Sequence, residues 1–343
     1  MVNYFIRRFL LIIPTFLGCT LLVFCILQFT PGGPLERALQ QAQQQSHGGE
    51  GGGTASGIGG GNTEISEEAK AELKRYYNLD KPIPMRYILW LGKLMKGDFG
   101  QSSVYGDPAF DVITSRFPIS LYYGLIGFLL SYLVCIPLGI LKAIKHGSPF
   151  DIGSSALVFI GYSVPGWALG ALLLSTMAAN WHWFPLGNFH SDNWDQLSFG
   201  EQAWDLVNHS VLPLICYMIG GFATLTILMK NSLLENLGQD YVRTAFAKGL
   251  TERRVIFGHA MRNSLIPIAT GIGSILSIVL TGSVLIETVF NIDGFGYLSY
   301  RSAVERDYTV VMGILVFTVV LRLLGNILSD FAYAVIDPRI RFD

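Results

Sequence analysis

Between Asp240 and Pro267 the chain reads DYVRTAFAKGLTERRVIFGHAMRNSLIP. It gathers Arg243, Lys248, Arg253, Arg254 and Arg262 into one connector, although only 14% of the 343 residues are charged. Such a cluster can orient an approaching protein surface or hold anionic lipid headgroups, and composition does not choose between the two. Covalent chemistry has fewer candidates. No GxxxxGK[ST] phosphate loop occurs, so the chain has no visible means of hydrolysing ATP by itself. HExxH and GxSxG are also missing, and GYSVPG at Gly161 to Gly166 is better explained as a proline bend than as a nucleophile turn. His47, His146, His182, His190, His209 and His259 are scattered without metal spacing. No catalytic residue and no metal site are expected.

The elements that must position the connector follow from composition. The chain is 51% hydrophobic and 13% aromatic, with mean hydropathy +0.43, a balance that would coat a soluble protein of this size in apolar surface. Six runs are long enough to cross a bilayer, approximately Phe9–Thr30, Ile119–Leu141, Ile152–Ala179, Val211–Met229, Ser264–Phe290 and Tyr308–Ser329. Short alternating strands of the membrane-barrel kind are missing. Arg7 and Arg8 precede the first run, which is too long for a cleaved signal and lacks a small-x-small site before Pro31, so it reads as a retained span.

With the N-terminus inside, the inner segments hold twelve Lys and Arg, from Arg7 through Lys142, Lys145 and Lys230 to Arg339 and Arg341, whereas the short outer loops hold only Arg301 and Arg306. Both termini and the connector are therefore expected in the cytoplasm, and topology alone accounts for much of the connector's charge. The loops from Pro31 to Pro118 and from Asn180 to Ser210 are expected outside. Cys19, Cys25, Cys135 and Cys216 all fall inside spans, so no disulfide framework is implied.

Ion-coupled transporters place ionisable groups at mid-membrane. Here Glu287 lies near the outer end of the fifth span, and Arg322 lies about two turns from the inner end of the sixth, able to snorkel toward the cytoplasm or Asp330. In the fifth span Ala269, Gly273, Ser277 and Thr281 form a small-residue stripe, suited to close helix packing or, more sharply, to lining a path at Gly273, Ser277 and Thr281. Gly161, Pro165 and Gly166 in the third span predict a bend. In the first outer loop, the glycine tract His47–Glu64 predicts a flexible linker. It is followed by a helix from Ser66 to about Tyr77 and a second, amphipathic helix from about Met85 to Met95. Tyr87, Trp90, Leu91 and Leu94 mark the second helix's apolar side, which either rests on the membrane interface or packs on the bundle.

The connector itself reads as two short helices broken at Gly249, the natural residue for a left-handed helix end, with Thr251 as cap and Glu252 in the next first turn. Tyr241, Ala245 and Lys248 follow one helical path, and Val255, Ile256, His259 and Ala260 another. Small Ala245 and flexible Gly249 are expected to let a partner surface approach.

Ala245-Phe-Ala-Lys-Gly249, with Ile266-Pro267 downstream, resembles the EAA motif of ABC importer permeases, which in that family is the coupling helix that docks into the ATPase. Arg243-Thr244-Ala245 departs from the usual Glu-Ala-Ala, but DYVRTAFAKGL is similar to the version in dipeptide and oligopeptide permeases. The resemblance runs along nearly the whole chain: NLDKPIPMRYILWLGKLMKGDFGQS looks like their outer-loop signature, ETVFNIDGFGYL like their E-x-x-F-x-x-P-G-x-G segment with Asp293 in place of proline, and SDFAYAVIDPRIRF like their Asp-Pro-Arg ending. The glycine-rich insert and GGFATLTILMKNSLLE are similar to the Yej-type B subunits, associated in the family with oligopeptide and microcin C uptake.

The resemblance implies an all-α integral membrane protein with six transmembrane helices, in the type I ABC importer permease fold with an extra N-terminal helix and a large extracytoplasmic loop. Its parts would be a tip and first span at 1–30, the extracytoplasmic loop at 31–118, the transmembrane core at 119–330 with coupling helices at about 240–262, and a cytoplasmic tail at 331–343. It further implies coupling to an ATPase through Tyr241, Arg243, Thr244, Ala245, Lys248, Gly249 and Arg253. No cofactor is expected on this chain, ATP and Mg being bound by the partner. The implied partners are a homologous second permease, two ATP-binding subunits or one fused ATPase, an extracytoplasmic peptide-binding protein and the lipid bilayer of the bacterial inner membrane, with no nucleic acid. An ion-coupled peptide transporter and an intramembrane protease are the competing classes. Transport without ATP would favour the first, and peptide cleavage by the chain alone the second.

Overall fold

The computed structural model describes residues 2–29, 80–269 and 282–336. The glycine tract, the expected helix from Ser66 to Tyr77, the path residues Gly273, Ser277 and Thr281, and the Asp-Pro-Arg ending lie outside the described residues. Within them the chain is helical, and the only bridge is an isolated one pairing Gln101 with Pro108.

The elements are α1 (Val2–Phe29), α2 (Ile83–Leu94), α3 (Ala109–Ile144), α4 (Pro149–Ser163), α5 (Gly166–Leu173) continued by a wide π-helical stretch Leu174–Asn180, α6 (Phe199–Leu237), α7 (Asp240–Ala247), α8 (Glu252–Val255) continued by a second wide stretch Ile256–Ala260, α9 (Met261–Ser264), α10 (Val284–Val289), α11 (Phe295–Val304) and α12 (Tyr308–Ile336). Among the described residues four helices are long and apolar enough to cross a membrane, within α1, α3, α6 and α12, and a fifth crossing results if α4 and α5 count as one. The middle of the expected fifth span, Ser264–Phe290, falls on undescribed residues.

The two longest helices outrun their expected spans by the most. With 36 residues in α3 and 39 in α6, each is roughly 55 Å long at 1.5 Å per residue, well beyond the ~30 Å hydrocarbon core. Both start earlier than hydropathy indicates, at Ala109 and Phe199 rather than Ile119 and Val211. Ser198 and Glu201 explain the second start, because they form a reciprocal capping box on a segment too polar to register as a span.

The third expected span is not one helix. α4 and the segment Gly166–Asn180 meet at 92°. Pro165 offers no amide hydrogen and forces Val164 out of the helical region, to φ −96° and ψ 120°. Gly166 then passes so near α6 that a β-carbon there would lie 2.7 Å from the Cys216 carbonyl oxygen.

The chain divides into two compact units. In the unit made of Met1–Ile12, Ile113–Tyr300 and Phe317–Asp343, α3 and α6 run side by side in the same direction. A β-carbon on Gly127 would lie 3.1 Å from Tyr217, and one on Gly139 would lie 2.6 Å from Met229, so glycine sets the approach at both crossings. Two apolar cores fill this unit. One, around Tyr123, Leu212, Cys216 and Phe290, lies toward the starts of α3 and α6. The other, around Ile140, Ala143, Met229 and Leu233, lies toward their ends. Asp330 of α12 pairs with Arg8 at 2.5 Å, so its ion pair is made to α1 and not to Arg322.

The second unit, Ile13–Val112 and Arg301–Val316, is built on α2. Tyr87 is buried with Phe24 and Met312, and its hydroxyl donates to the Leu17 carbonyl at 3.1 Å and meets the Thr20 hydroxyl at 2.9 Å. The Tyr87 side of α2 thus packs on membrane-spanning helices. The following GDFGQS segment is fixed by Ser102, whose hydroxyl donates to buried Asp307 at 2.5 Å while Asp307 also accepts from the Val310 amide at the start of α12.

Candidate functional site

The connector begins where α6 ends. Gln239 is extended, with ψ 152°, and Asp240 opens α7 with a carboxylate in the first turn, where the helix dipole favours it. Tyr241 turns back to donate to the Asn236 side chain at 2.8 Å. α7 closes at Gly249, whose φ of +75° is left-handed and whose amide donates to the Phe246 carbonyl at 2.9 Å, while the Leu250 amide reaches the Ala245 carbonyl. Thr251 takes the position before α8 with ψ 147°, but its side chain makes no capping bond.

The two short helices are anchored by a common apolar face. Val242 and Ala245 of α7 and Val255, Ile256 and Ala260 beyond it are buried together with Ile140 and Ala143 of α3 and Met229 and Leu233 of α6. Fully burying a Val or Ile side chain stabilises by about 1.5–3 kcal/mol, which offsets the poor intrinsic stability of helices this short. A polar clasp adds to it: the Ser232 hydroxyl donates to the Ser264 carbonyl at 2.9 Å, and the Ser264 hydroxyl reaches the Ser232 carbonyl at 3.3 Å.

This corrects which residues face outward. Ala245, expected to admit a partner, is 6% exposed and belongs to the anchor. The inward path runs through Val242 and Ala245, three residues apart, and not through Tyr241, Ala245 and Lys248. His259 is exposed although Val255, Ile256 and Ala260 are buried, since the wide turn at Ile256–Ala260 adds a residue and rotates it out. The outer surface is formed by Tyr241, Arg243, Thr244, Lys248, Gly249 and Arg253, joined by Phe246 and Phe257, which are 46% and 47% exposed. Nothing in the apolar count marks those two phenylalanines as outward; Phe246 even lies four residues from buried Val242, and it is the packing against α3 and α6 that decides which flank is covered. Arg243 lies 3.7 Å from Asp240, both well exposed, an arrangement that contributes little to stability.

A second polar centre lies toward the other end of the same unit. Glu287 is 0% exposed, and among the described residues no cation lies within salt-bridge range of it. It accepts from the Ser120 hydroxyl at 2.7 Å, the Tyr297 amide at 2.7 Å, the Ser283 amide at 3.3 Å and the Tyr217 hydroxyl at 3.3 Å. The surrounding backbone closes on it so tightly that a β-carbon on Gly282 would lie 2.4 Å from one carboxylate oxygen, and one on Gly294 2.6 Å from the other. The sequence marks this only through the spacing of Glu287, Gly294 and Gly296. Asp293, standing where the resembled motif has proline, pairs with Arg116 at 2.9 Å. Among the described residues no three His, Cys, Asp or Glu come together as a metal site.

Residues 135–342 match the family described as binding-protein-dependent transport system inner membrane component. Over 99% of its length the chain is 38% identical to the peptidoglycan transport system permease protein YejB of Agrobacterium fabrum, covering 98% of that protein. It is 34% identical to the oligopeptide transport system permease protein AppB of Bacillus subtilis, with both chains covered in full. In fold it is similar to an inward-facing structure of the MetNI methionine ABC transporter, with a TM-score of 0.50 at 15% identity, over 66% of this chain and 96% of that one. The chain therefore belongs to the binding-protein-dependent transport system inner membrane component family, in the branch that holds the YejB and AppB permeases.

Proposed function

We propose that this chain is one transmembrane half of an ATP-driven peptide importer of the bacterial inner membrane. It pairs with a homologous second permease, with two ATP-binding subunits or one fused ATPase that bind ATP and Mg, and with an extracytoplasmic peptide-binding protein. Six helices span the bilayer, with both termini and the connector in the cytoplasm. The names of its relatives support a transport cargo of peptides. Microcin C-like peptides are the narrower reading, and the name of the Agrobacterium relative favours a second, peptidoglycan fragments. Competition of labelled tripeptide uptake by either compound separates them.

The observation that carries the reading is the two-faced connector. Its inner face is continuous with the core between α3 and α6, and its outer face presents aromatic and cationic side chains. A partner that moves the outer face must move α3 and α6 with it, which is the differential contact that a two-state coupling requires. Tyr241, Arg243, Thr244, Lys248, Gly249 and Arg253 form the ATPase contact, and Ala245 acts from behind as an anchor. Gly273, Ser277 and Thr281 line the path; cysteines at Gly273 and Ser277 that resist water-soluble thiol reagents in every nucleotide state would remove them from it.

Gly249→Arg tests the coupling. A β-carbon at Gly249 meets nothing within 4 Å, so the substitution strains only the left-handed backbone, by about 1–3 kcal/mol, while adding bulk and charge to the contact. The variant is expected to insert and assemble but to lose peptide uptake. Normal uptake would exclude the connector as the coupling element.

A further inference from the structure

The groove between α4 and α6 has an apolar body and a basic end. A cavity of about 420 Å³ lies there, lined by Leu157, Val158 and Gly161 of α4 and by Ile215, Ile219 and Phe222 of α6. Along α6 the residues Ile215, Ile219, Phe222, Thr226 and Lys230 recur every three or four positions, as do Asp151, Ser154, Val158 and Gly161 along α4. Each series therefore forms one stripe, and both lead from the cavity to the same buried ion cluster. Lys230 stands eight residues beyond Phe222, or roughly 12 Å along the helix.

That cluster is unbalanced. Lys142, although counted with the loop charges in the sequence, is 1% exposed. It lies 3.1 Å from the Asp151 carboxylate and donates to the Asp151 carbonyl, Ser154 and Ser155 at 2.9, 2.8 and 2.7 Å. Lys230 approaches both Asp151 oxygens at 2.8 Å. Two lysines thus share one carboxylate, which also accepts from the Gly147 amide at 3.1 Å and meets the exposed His146 ring at 3.3 Å. Exposed Lys145, packed over Phe150, lies on the same turn. Lys142 and Asp151 are buried and Lys230 is only 15% exposed, so the surplus positive charge is costly unless an anion neutralises it.

We propose that the groove seats an acyl chain of an anionic phospholipid, with its phosphate against Lys230 and Lys145. A peptide would bring an N–H and a C=O per residue that need partners. Ser154, the one polar side chain at the cavity, is already bonded to Asp151 and Lys142, whereas an acyl chain asks for no partner. The leaflet is the cytoplasmic one in the orientation proposed above, but the assay below does not depend on that orientation.

The chain with its copurifying subunits, delipidated in detergent, is titrated with dioleoyl-phosphatidylglycerol or dioleoyl-phosphatidylcholine and read by native mass spectrometry. The parent is expected to retain phosphatidylglycerol at least fivefold better. Lys230→Met leaves a neutral Lys142–Asp151 pair and is expected to reduce that preference about fivefold, the effect of one basic residue near a lipid surface. Lys145→Gln, at an exposed site with little bearing on folding, is expected to reduce it in the same direction. Gly161→Leu fills the groove, since a β-carbon there already lies 3.3 Å from Ile219, and is expected to weaken retention of both lipids. Equal retention of the two lipids by the parent, or unchanged phosphatidylglycerol retention in Gly161→Leu, would overturn the proposal. Benzoylphenylalanine at Leu157 that crosslinks a polypeptide in membranes instead of lipid would do the same.

Discussion

The connector at Asp240–Ser264 and the carboxylate Glu287 in the segment Ser283–Tyr297 both place charge beside apolar helices, and they turn it in opposite directions. In the connector the charges point out and small apolar side chains point in. In the second segment Glu287 points in and is enclosed by backbone amides, hydroxyls and glycines, while Asp293 stays half-exposed and pairs with Arg116. A charge at the surface is solvated whether or not a partner is present, so it is free to serve recognition. A charge in the interior holds only if its own chain solvates it, so it specifies the shape of the segment around it.

The sharpest break of this comparison is Glu287→Ala. It leaves the Tyr297 amide without its acceptor, at about 1–3 kcal/mol for a buried donor, and the Ser283 amide with only the Tyr217 hydroxyl at 3.1 Å, before counting Ser120 and Tyr217. The purified subunit should lose thermal stability and yield. Glu287→Gln, which keeps one acceptor oxygen, should lose less. Equal melting of the two variants and the parent would mean that Glu287 does not organise the segment.

Next in size is Ala245→Leu. Overpacking a filled core costs about 1–3 kcal/mol, so if Ala245 anchors the connector, the isolated subunit should melt earlier with no ATPase present. An outward Ala245, as its small size beside Gly249 leads one to expect, would leave the isolated subunit unchanged and weaken only its association with the partner.

That pair of outcomes also measures how far the chain is legible in sequence. The helix break at Gly249 and the bend at Pro165 follow from single-residue backbone constraints, φ in one case and a missing amide hydrogen in the other, and both are found in place. The sense of burial within α7 is harder. Over eight residues a helix makes barely two turns, and Val242 and Tyr241 are adjacent candidates for its inner face. The choice is made by Ile140, Met229 and Leu233, over a hundred residues away in one case and close in the other two. Lys142 shows the same limit. Directly after Leu141, the last residue of the expected span, it reads as a loop cation, and only the fold of α4 brings Asp151, Ser154 and Ser155 around it.

The smallest effect on stability is expected from Arg243→Gln combined with Arg253→Gln. Both side chains are exposed, and surface substitutions of this kind stay within about 0.5 kcal/mol, so melting of the isolated subunit should not change. What should change is association. Charges on an exposed contact steer encounter and are screened over a Debye length of about 8 Å at physiological ionic strength. Binding of the ATPase to the parent should therefore weaken as salt rises, and the double variant should bind more weakly at low salt with a flatter salt dependence. If the variant keeps the parent's salt dependence, the arginines are there for topology alone, and the contact is made by Tyr241, Phe246 and Phe257. The connector would then differ from the Glu287 segment in its apolar face, and not in the use of its charge.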